Sequence, residues 1–399
     1  MRFKMDTARI NTIWAHCIIE ELYRLGHQHF CIAPGSRSTP LTWAAAQHTK
    51  IACHTHIDER SLGFMALGLS KATGKAPVII CTSGTAVANL LPAVVEAAQD
   101  FLPLIILSAD RPPELLGVGA NQAINQVQIF SNYPKKSVNL PCPTDEMPIS
   151  FLLRSICEAS ADSADGVVHV NCPYRAPFLD ESALNELDGL VPKSWLNSDQ
   201  AYAQVMLAPK MASMHQISNI ASRLKMAKRG LIMVGQLADQ SSAAAILKLA
   251  ESFEWPIIAD IVSGLSCVKH PLVFSTSDWA LAATDTLAPD MVLQFGGRFC
   301  SKSVQAFRGS LMDSCEVVQI QEVSSWQDPE CRSNTILTAH IPAVISTLQS
   351  AVNIQASQLL QPIQSLEKQI VDYLNEAPEL NQNLEVTAVR AAFSSDTPQ

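Results

Sequence analysis

No C-x-x-C pair occurs among the 11 cysteines of this 399-residue chain, and their number is odd. That spacing excludes a zinc ribbon and disfavours a disulfide framework. Reduced thiols packed inside a cytoplasmic protein are the expectation. Basic runs are also lacking, with a net charge of −9 and only 16% charged residues. Generic nucleic-acid binding is thereby excluded, and any arginines serving an anionic substrate have to be gathered locally in a site. The N-terminal MRFKMDTARINTIW has no signal-peptide core. Residues 76–95 carry no charge, yet Thr82-Ser83-Gly84-Thr85, Asn89 and Pro92 interrupt them. They read as strand, loop and helix, not as a membrane span. No internal repeat, low-complexity tract or Gly-Asp dipeptide is present.

What is present is a hydrophobic fraction of 48% over a length suited to two domains of ~150–200 residues each. After Asp6 and Thr7, Ile10, Ile13, Trp14, Cys17, Ile18, Leu22 and Leu25 form one face of a helix that Gly26 ends. Strand-like runs follow at 29–33, 50–57, 77–82 and 103–109, separated by helical segments. A helix near 145–161 and a strand at 166–172 complete the unit. Residues 180–204 are polar and irregular. Four further apolar runs, at 229–235, 255–261, 289–296 and 315–321, alternate with helices, and a last helix is expected near 357–374. The pattern predicts an α/β protein with two doubly wound parallel-sheet domains. The expected organisation is 1–180 for the first domain, 181–204 for a linker, 205–350 for a central domain and 351–399 for a helix and onward connection.

In a parallel sheet all strands end along one edge, where ligands bind. The four strands of the first domain lead into Pro34-Gly35-Ser36-Arg37-Ser38-Thr39, Asp58-Glu59-Arg60, Thr82-Ser83-Gly84-Thr85 and Asp110-Arg111-Pro112-Pro113-Glu114. One such loop has a bland explanation in each case. Glu59 could simply favour a helix N-terminus, worth about a few tenths of a kcal/mol. Arg37 could be a solvated neighbour of a Ser/Thr cap, and Arg111 could pair with Asp110 or Glu114. Four such loops on one edge make a site. Arg37 and the helix-opening amides suit an anion, and Arg111, stiffened by two prolines, suits a carboxylate. Gly117-Val118-Gly119 is no dinucleotide fingerprint, since its sixth position is Gln122 and no strand leads directly into it. His54 and His56 lack further metal ligands at suitable spacing. Gly235-Gln236 reads as a turn.

At these loops the chain resembles a known family. CIAPGSRSTPL, HIDERSLGFMALGLSK, CTSGTAVANLLPAVVEA, SADRPPELLGVGANQAINQ and VHVNCPYRAPF look like the thiamine-diphosphate enzymes of menaquinone synthesis that make 2-succinyl-5-enolpyruvyl-6-hydroxy-3-cyclohexene-1-carboxylate (SEPHCHC). The resemblance is strong over 1–180 and looser through the second domain. Acetolactate synthase and pyruvate decarboxylase, in the wider superfamily, share the strand-end glutamate but not the full set. The resemblance implies a pyrimidine-binding domain followed by a central Rossmann-like domain. It implies that Glu59 is catalytic, hydrogen-bonding N1′ of the cofactor's aminopyrimidine, with Pro34 and Thr82 near that ring. It places Ser36, Arg37, Arg111, Gln122 and Lys302 at positions holding isochorismate. Some members follow the lysine with arginine, whereas here Ser303 follows.

The implied activity is decarboxylation of 2-oxoglutarate and 1,4-addition of the resulting four-carbon unit to isochorismate, a transferase reaction of the EC 2.2.1.- class. Thiamine diphosphate and Mg²⁺ are the implied cofactors, and a homodimer or homotetramer the implied assembly. The superfamily's Gly-Asp-Gly diphosphate and metal anchor has no counterpart here, so no metal ligand is expected in this chain. The expectation is that it supplies the pyrimidine and central domains only and is inactive alone. Two other readings stay open: an acetolactate-synthase-like carboligase using pyruvate, with flavin on the central domain, and a non-catalytic isochorismate-binding module.

Overall fold

The structure is a computed structural model that describes residues 6–237, 240–283 and 287–376. The part of the expected 351–399 segment from 377 onward lies outside the described residues. The chain divides into two compact units, Met1–Leu207 and Ala208–Gln399.

The first unit contains helices α1 (Thr7–Arg24), α2 (Thr39–Gln47), α3 (Glu59–Thr73), α4 (Thr85–Ala88), α5 (Leu91–Asp100), α6 (Ile149–Asp162) and α7 (Lys193–Leu196). Its strands are β1 (His29–Ile32), β2 (Ala52–Thr55), β3 (Val78–Cys81), β4 (Leu104–Asp110), β5 (Lys136–Asn139) and β6 (Val167–Pro173). All pair in parallel, in the order β2-β1-β3-β4-β6-β5. Two apolar layers cover the sheet. One joins Ile13, Trp14 and Ile18 of α1 to Leu152 and Ile156 of α6, and the other joins Leu62 and Leu67 of α3 to Val94 and Ala97 of α5.

Local chemistry sets the ends of these elements. Asp58 caps α3 by accepting from the Ser61 amide at 2.7 Å, and Gly74 closes it in the left-handed region at φ 65°. Asp6 precedes α1, but its side chain makes no cap bond. Strand β5 escaped the sequence pattern because it is an edge strand whose residues alternate between exposed and half-buried, without a continuous apolar run.

The stretch expected to be a linker, 181–204, is folded onto the first unit. Ala183, Val191 and Trp195 are buried in the α1–α6 core. Their wide spacing among polar residues hid them. Buried Glu21 of α1 accepts from Trp195 Nε1 at 2.5 Å and from the Tyr202 amide at 2.7 Å. Arg24 lies over the same indole at 3.9 Å and donates to the Trp195 carbonyl.

The second unit contains α8 (Met214–Leu224), α9 (Gln240–Phe253), α10 (Ser277–Ala283), α11 (Lys302–Ser310), α12 (Ile341–Ala351) and α13 (Leu360–Glu376). Strands β7 (Gly230–Val234), β8 (Ile257–Ala259), β9 (Met291–Phe295), β10 (Glu316–Gln321) and β11 (Thr335–Thr338) pair in parallel, in the order β11-β10-β9-β7-β8. Edge strand β11, like β5, is half-buried and was not visible as an apolar run. A Ser213–Gln216 capping box starts α8. Both units are thus α/β folds with all-parallel sheets, and among the described residues no helix is long and apolar enough to cross a membrane.

Candidate active site

In the first sheet the strand order reverses between β1 and β3, and the loops that follow these strands meet there. A Cβ on Gly35 would stand 2.2 Å from Thr82 Cβ, so only glycine lets the Pro34-Gly35 turn close against the TSGT turn. Pro34 and Ser36 are exposed beside it, while Thr82 is buried. Ser36 presents its carbonyl to the Thr39 amide and hydroxyl, which closes the turn into α2.

Gln122 completes this corner. Its backbone takes φ 56°, and its amide donates to the Ser83 carbonyl at 2.9 Å. Gly84 has to be glycine partly for this reason, since a Cβ there would sit 2.8 Å from Gln122 Cγ. The amide of Gly84 donates to Oε1 of Gln126, a fully buried residue, at 2.8 Å.

Arg37 and Arg111 come from the loops after β1 and β4 and lie close enough for their charges to oppose one another. Burial, then the neighbouring Arg111 charge, pulls Arg37 below its ordinary pKa, and burial does the same to Arg111. Among the described residues neither forms an ion pair, and Arg37 Nε and Arg111 Nη1 are buried with no hydrogen-bond partner. Arg37 Nη1 donates to the Tyr174 carbonyl at 2.6 Å, and its guanidinium covers the Phe178 ring at 4.8 Å.

The ordinary explanation for Arg111, a salt bridge to Asp110 or Glu114, is not what the fold builds. Asp110 Oδ1 accepts the Arg111 backbone amide at 2.7 Å, and Oδ2 accepts from Asn171 at 2.8 Å. Burial raises the Asp110 pKa despite these bonds. Glu114 accepts two bonds from Arg175, at 2.6 and 2.9 Å. Asp110 is the acidic neighbour within electrostatic reach of both arginines, yet each arginine keeps a buried N–H without a partner, a donor that a ligand carboxylate could use.

Glu59 begins α3 at the end of β2, half-buried. One carboxylate oxygen accepts from Asn89 Nδ2 at a long 3.3 Å, and the other has no hydrogen-bond partner among the described residues. A carboxyl so placed can share a proton with a ligand nitrogen at the strand-end edge. The residues around it therefore fit the pyrimidine end of thiamine diphosphate. For the metal end there is no corresponding arrangement, since the described residues contain no group of three or more His, Cys, Asp and Glu able to hold an ion.

Lys302 lies in the second unit, exposed at the start of α11. Asp260, buried at the end of β8, accepts from the Cys300 and Ser301 amides at 2.8 and 2.9 Å and fixes the turn that presents the lysine. In this sheet the strand order reverses between β7 and β9, but backbone bonds continue past the strands. Gln236 donates to the Arg298 carbonyl and Gly297 to the Gln236 carbonyl. A Cβ on Gly235 would lie 2.3 Å from Gly297 O, so the Gly235-Gln236 turn seals this crevice.

Residues 14–129 match the family described as the thiamine pyrophosphate enzyme N-terminal TPP binding domain, and residues 190–395 match the middle domain of thiamine pyrophosphate enzymes. The chain belongs to the thiamine pyrophosphate enzyme family. Within that family it is 44% identical over 312 residues to a 2-succinyl-5-enolpyruvyl-6-hydroxy-3-cyclohexene-1-carboxylate synthase of Shewanella sp. (strain ANA-3), covering 76% of this chain and 53% of that protein. The Shewanella oneidensis synthase of the same name matches to the same extent. Protein PHYLLO, chloroplastic, of Arabidopsis thaliana is 43% identical over 325 residues, 76% of this chain and 19% of that protein. The chain thus spans about half the length of the bacterial relatives it matches.

Sequence reasoning named the arginines of this thiamine pyrophosphate family member but not what holds them. Asn171, Gln126, Tyr174 and Arg175 were missed as supports. One signal was available, because His169 and Asn171 are polar residues two apart on an otherwise apolar strand. They share a face, and Asn171 stands opposite Ser108 of β4.

Proposed function

We propose that this chain supplies the pyrimidine-binding and central domains of a SEPHCHC synthase, which decarboxylates 2-oxoglutarate and adds the four-carbon remainder to isochorismate. The observation that carries the reading is the unpaired Arg37–Arg111 couple on the same sheet edge as Glu59. The glutamate serves any 2-oxo acid carboligation on this cofactor. A dicarboxylate acceptor needs the cations too.

Thiamine diphosphate supplies, when bound, the nucleophilic carbon on which a 2-oxo acid loses CO2. Glu59 holds a proton at the pyrimidine N1′ and so sets the protonation state of that ring. Pro34 and Thr82 shape the wall beside it. Arg37 and Arg111 hold isochorismate carboxylates, with Ser36 and Gln122 at the rim. The relatives extend well beyond the matched portion, and we place the diphosphate and Mg²⁺ anchors in that remainder. A homo-oligomer that pairs the two cofactor-binding domains follows from the same reading.

The test is CO2 release dependent on both isochorismate and 2-oxoglutarate, with thiamine diphosphate and Mg²⁺ present. The chain is assayed alone and then mixed with the separately expressed C-terminal domain of a Shewanella relative. Activity is expected only in the mixture, and Glu59→Gln should lower it by at least about 100-fold. A folded mixture that stays silent, or activity undiminished in Glu59→Gln, would overturn the reading.

A further inference from the structure

Arg37 stands within electrostatic reach of a like charge, that of Arg111. The Asp110 charge opposes the Arg111 charge but weighs less. A long, half-buried cation so placed would turn out to water unless something held it. Two contacts hold it. Its Nη1 donates to the Tyr174 carbonyl at 2.6 Å, and its guanidinium lies over the Phe178 ring, 4.8 Å from the centre. These leave the Nε–Nη2 edge, the one that meets a carboxylate through two parallel bonds, without a partner among the described residues. Phe178 is fixed in its turn. The loop that carries it is exposed from Arg175 to Pro177, yet hydrogen bonds tie it along its length. The Tyr174 amide donates to the Asp110 carbonyl at 3.0 Å, Asn11 Nδ2 to the Arg175 and Pro177 carbonyls at 2.8 and 3.0 Å, and the Asp180 amide to Thr12 Oγ1 at 3.0 Å. Phe178 lies between the last two anchors, half-buried and packed against the core that α1 and α6 share.

We propose that Phe178 is a positioning residue whose ring holds the Arg37 guanidinium beside Arg111, with its free edge presented to a substrate carboxylate. The proposal rests on the reading of Arg37 and Arg111 as the isochorismate site. The attraction is between a cation and the negative face of a ring, so it depends on the ring and not on bulk. A leucine or methionine in the same place fills the space but offers no such face. Arg37 then moves away from Arg111, and an incoming carboxylate has to draw it back against the repulsion. Affinity falls although both arginines are present. The effect of Phe178 passes entirely through Arg37, which separates this role from a direct substrate contact and from a brace between loops.

The experiment is calorimetric titration of isochorismate into the 399-residue chain, unsubstituted and as Phe178→Leu, Phe178→Met, Phe178→Tyr, Arg37→Ala and the double Arg37→Ala/Phe178→Leu. Thermal melting checks that each variant is folded, and the two ring-free variants stand in for one another. Phe178→Leu and Phe178→Met are each expected to weaken binding by about three- to tenfold. Phe178→Tyr, which keeps the ring, should stay within about twofold of the unsubstituted chain. Arg37→Ala should weaken binding further than either, and adding Phe178→Leu to it should change nothing more. Undiminished binding by a folded ring-free variant, equal weakening by Phe178→Tyr, or a further loss in the double variant would each overturn the proposal. Full binding by Arg37→Ala, or none by the folded unsubstituted chain, would instead overturn the reading of the arginine couple and this inference with it.

Discussion

Asn171 uses all four hydrogen-bonding positions of its amide beside Asp110. It donates to Asp110 Oδ2 and Asn139 Oδ1, and it accepts from Ser108 Oγ and Gln126 Nε2. Replacing it with leucine leaves a buried carboxylate and a buried glutamine short of partners. Asn171→Leu should therefore lower stability by about 3 kcal/mol, read from the denaturant midpoint. His169, two residues earlier, is buried and bonded to Ser108 at 2.7 Å, and burial lowers its pKa from 6.5 to about 4. Between those two values the unfolded chain binds a proton that the folded chain refuses. Stability should thus fall as pH drops from about 6.5 to about 4, by up to about 3 kcal/mol, and lose nothing further from this group below that. His27, lowered chiefly by burial, acts with the same sign. Thermal melting across that window should show the decline, and His169→Gln should flatten it. Arg37, Glu59 and Arg111 could be read from the sequence because they follow strand ends. Gln126 could not, because it follows no strand and its partners lie 17, 42 and 45 residues away.

Helix α1 does more than cover the sheet. Near its start, buried Asn11 donates to the Arg175 and Pro177 carbonyls, holding the loop that carries Tyr174 and Phe178 beneath Arg37. Near its end, Glu21 and Arg24 grip the segment around Trp195. The apolar spacing of α1 was plain in the sequence, whereas its polar contacts, more than 160 residues distant along the chain, were not. Trp195→Ala should cost about 3–5 kcal/mol through the cavity it leaves and the Glu21 bond it removes. Limited proteolysis of that variant should cut within 181–207 well before the unsubstituted chain is cut there. Strands β5 and β11 teach the complementary lesson. A strand buried on both faces declares itself by an apolar run, but an edge strand of four residues is recognised only through the neighbour it pairs with.

Across the whole chain, two sheets of related topology have strand-order reversals of opposite character. In the first unit the loops at the reversal carry Arg37 and Thr82, and the loops after the flanking strands β2 and β4 carry Glu59 and Arg111. In the second unit, backbone bonds through Gly235, Gln236 and Gly297 close the crevice. The purified chain is accordingly expected to show no flavin absorbance at about 450 nm, and a clear flavin spectrum would favour the acetolactate-synthase-like alternative. The parallel α/β class, the two-domain length and the gathering of reactive side chains at one edge were determined by the sequence itself. Strand periodicity and chain order suffice to place those loops together. The tertiary structure alone decided that Arg37 and Arg111 make no ion pair, because that depends on what holds the Asp110 carboxylate. Its oxygens are taken by the Arg111 backbone amide and by Asn171, which is 61 residues away along the chain and reaches Asp110 only through the β4–β6 pairing.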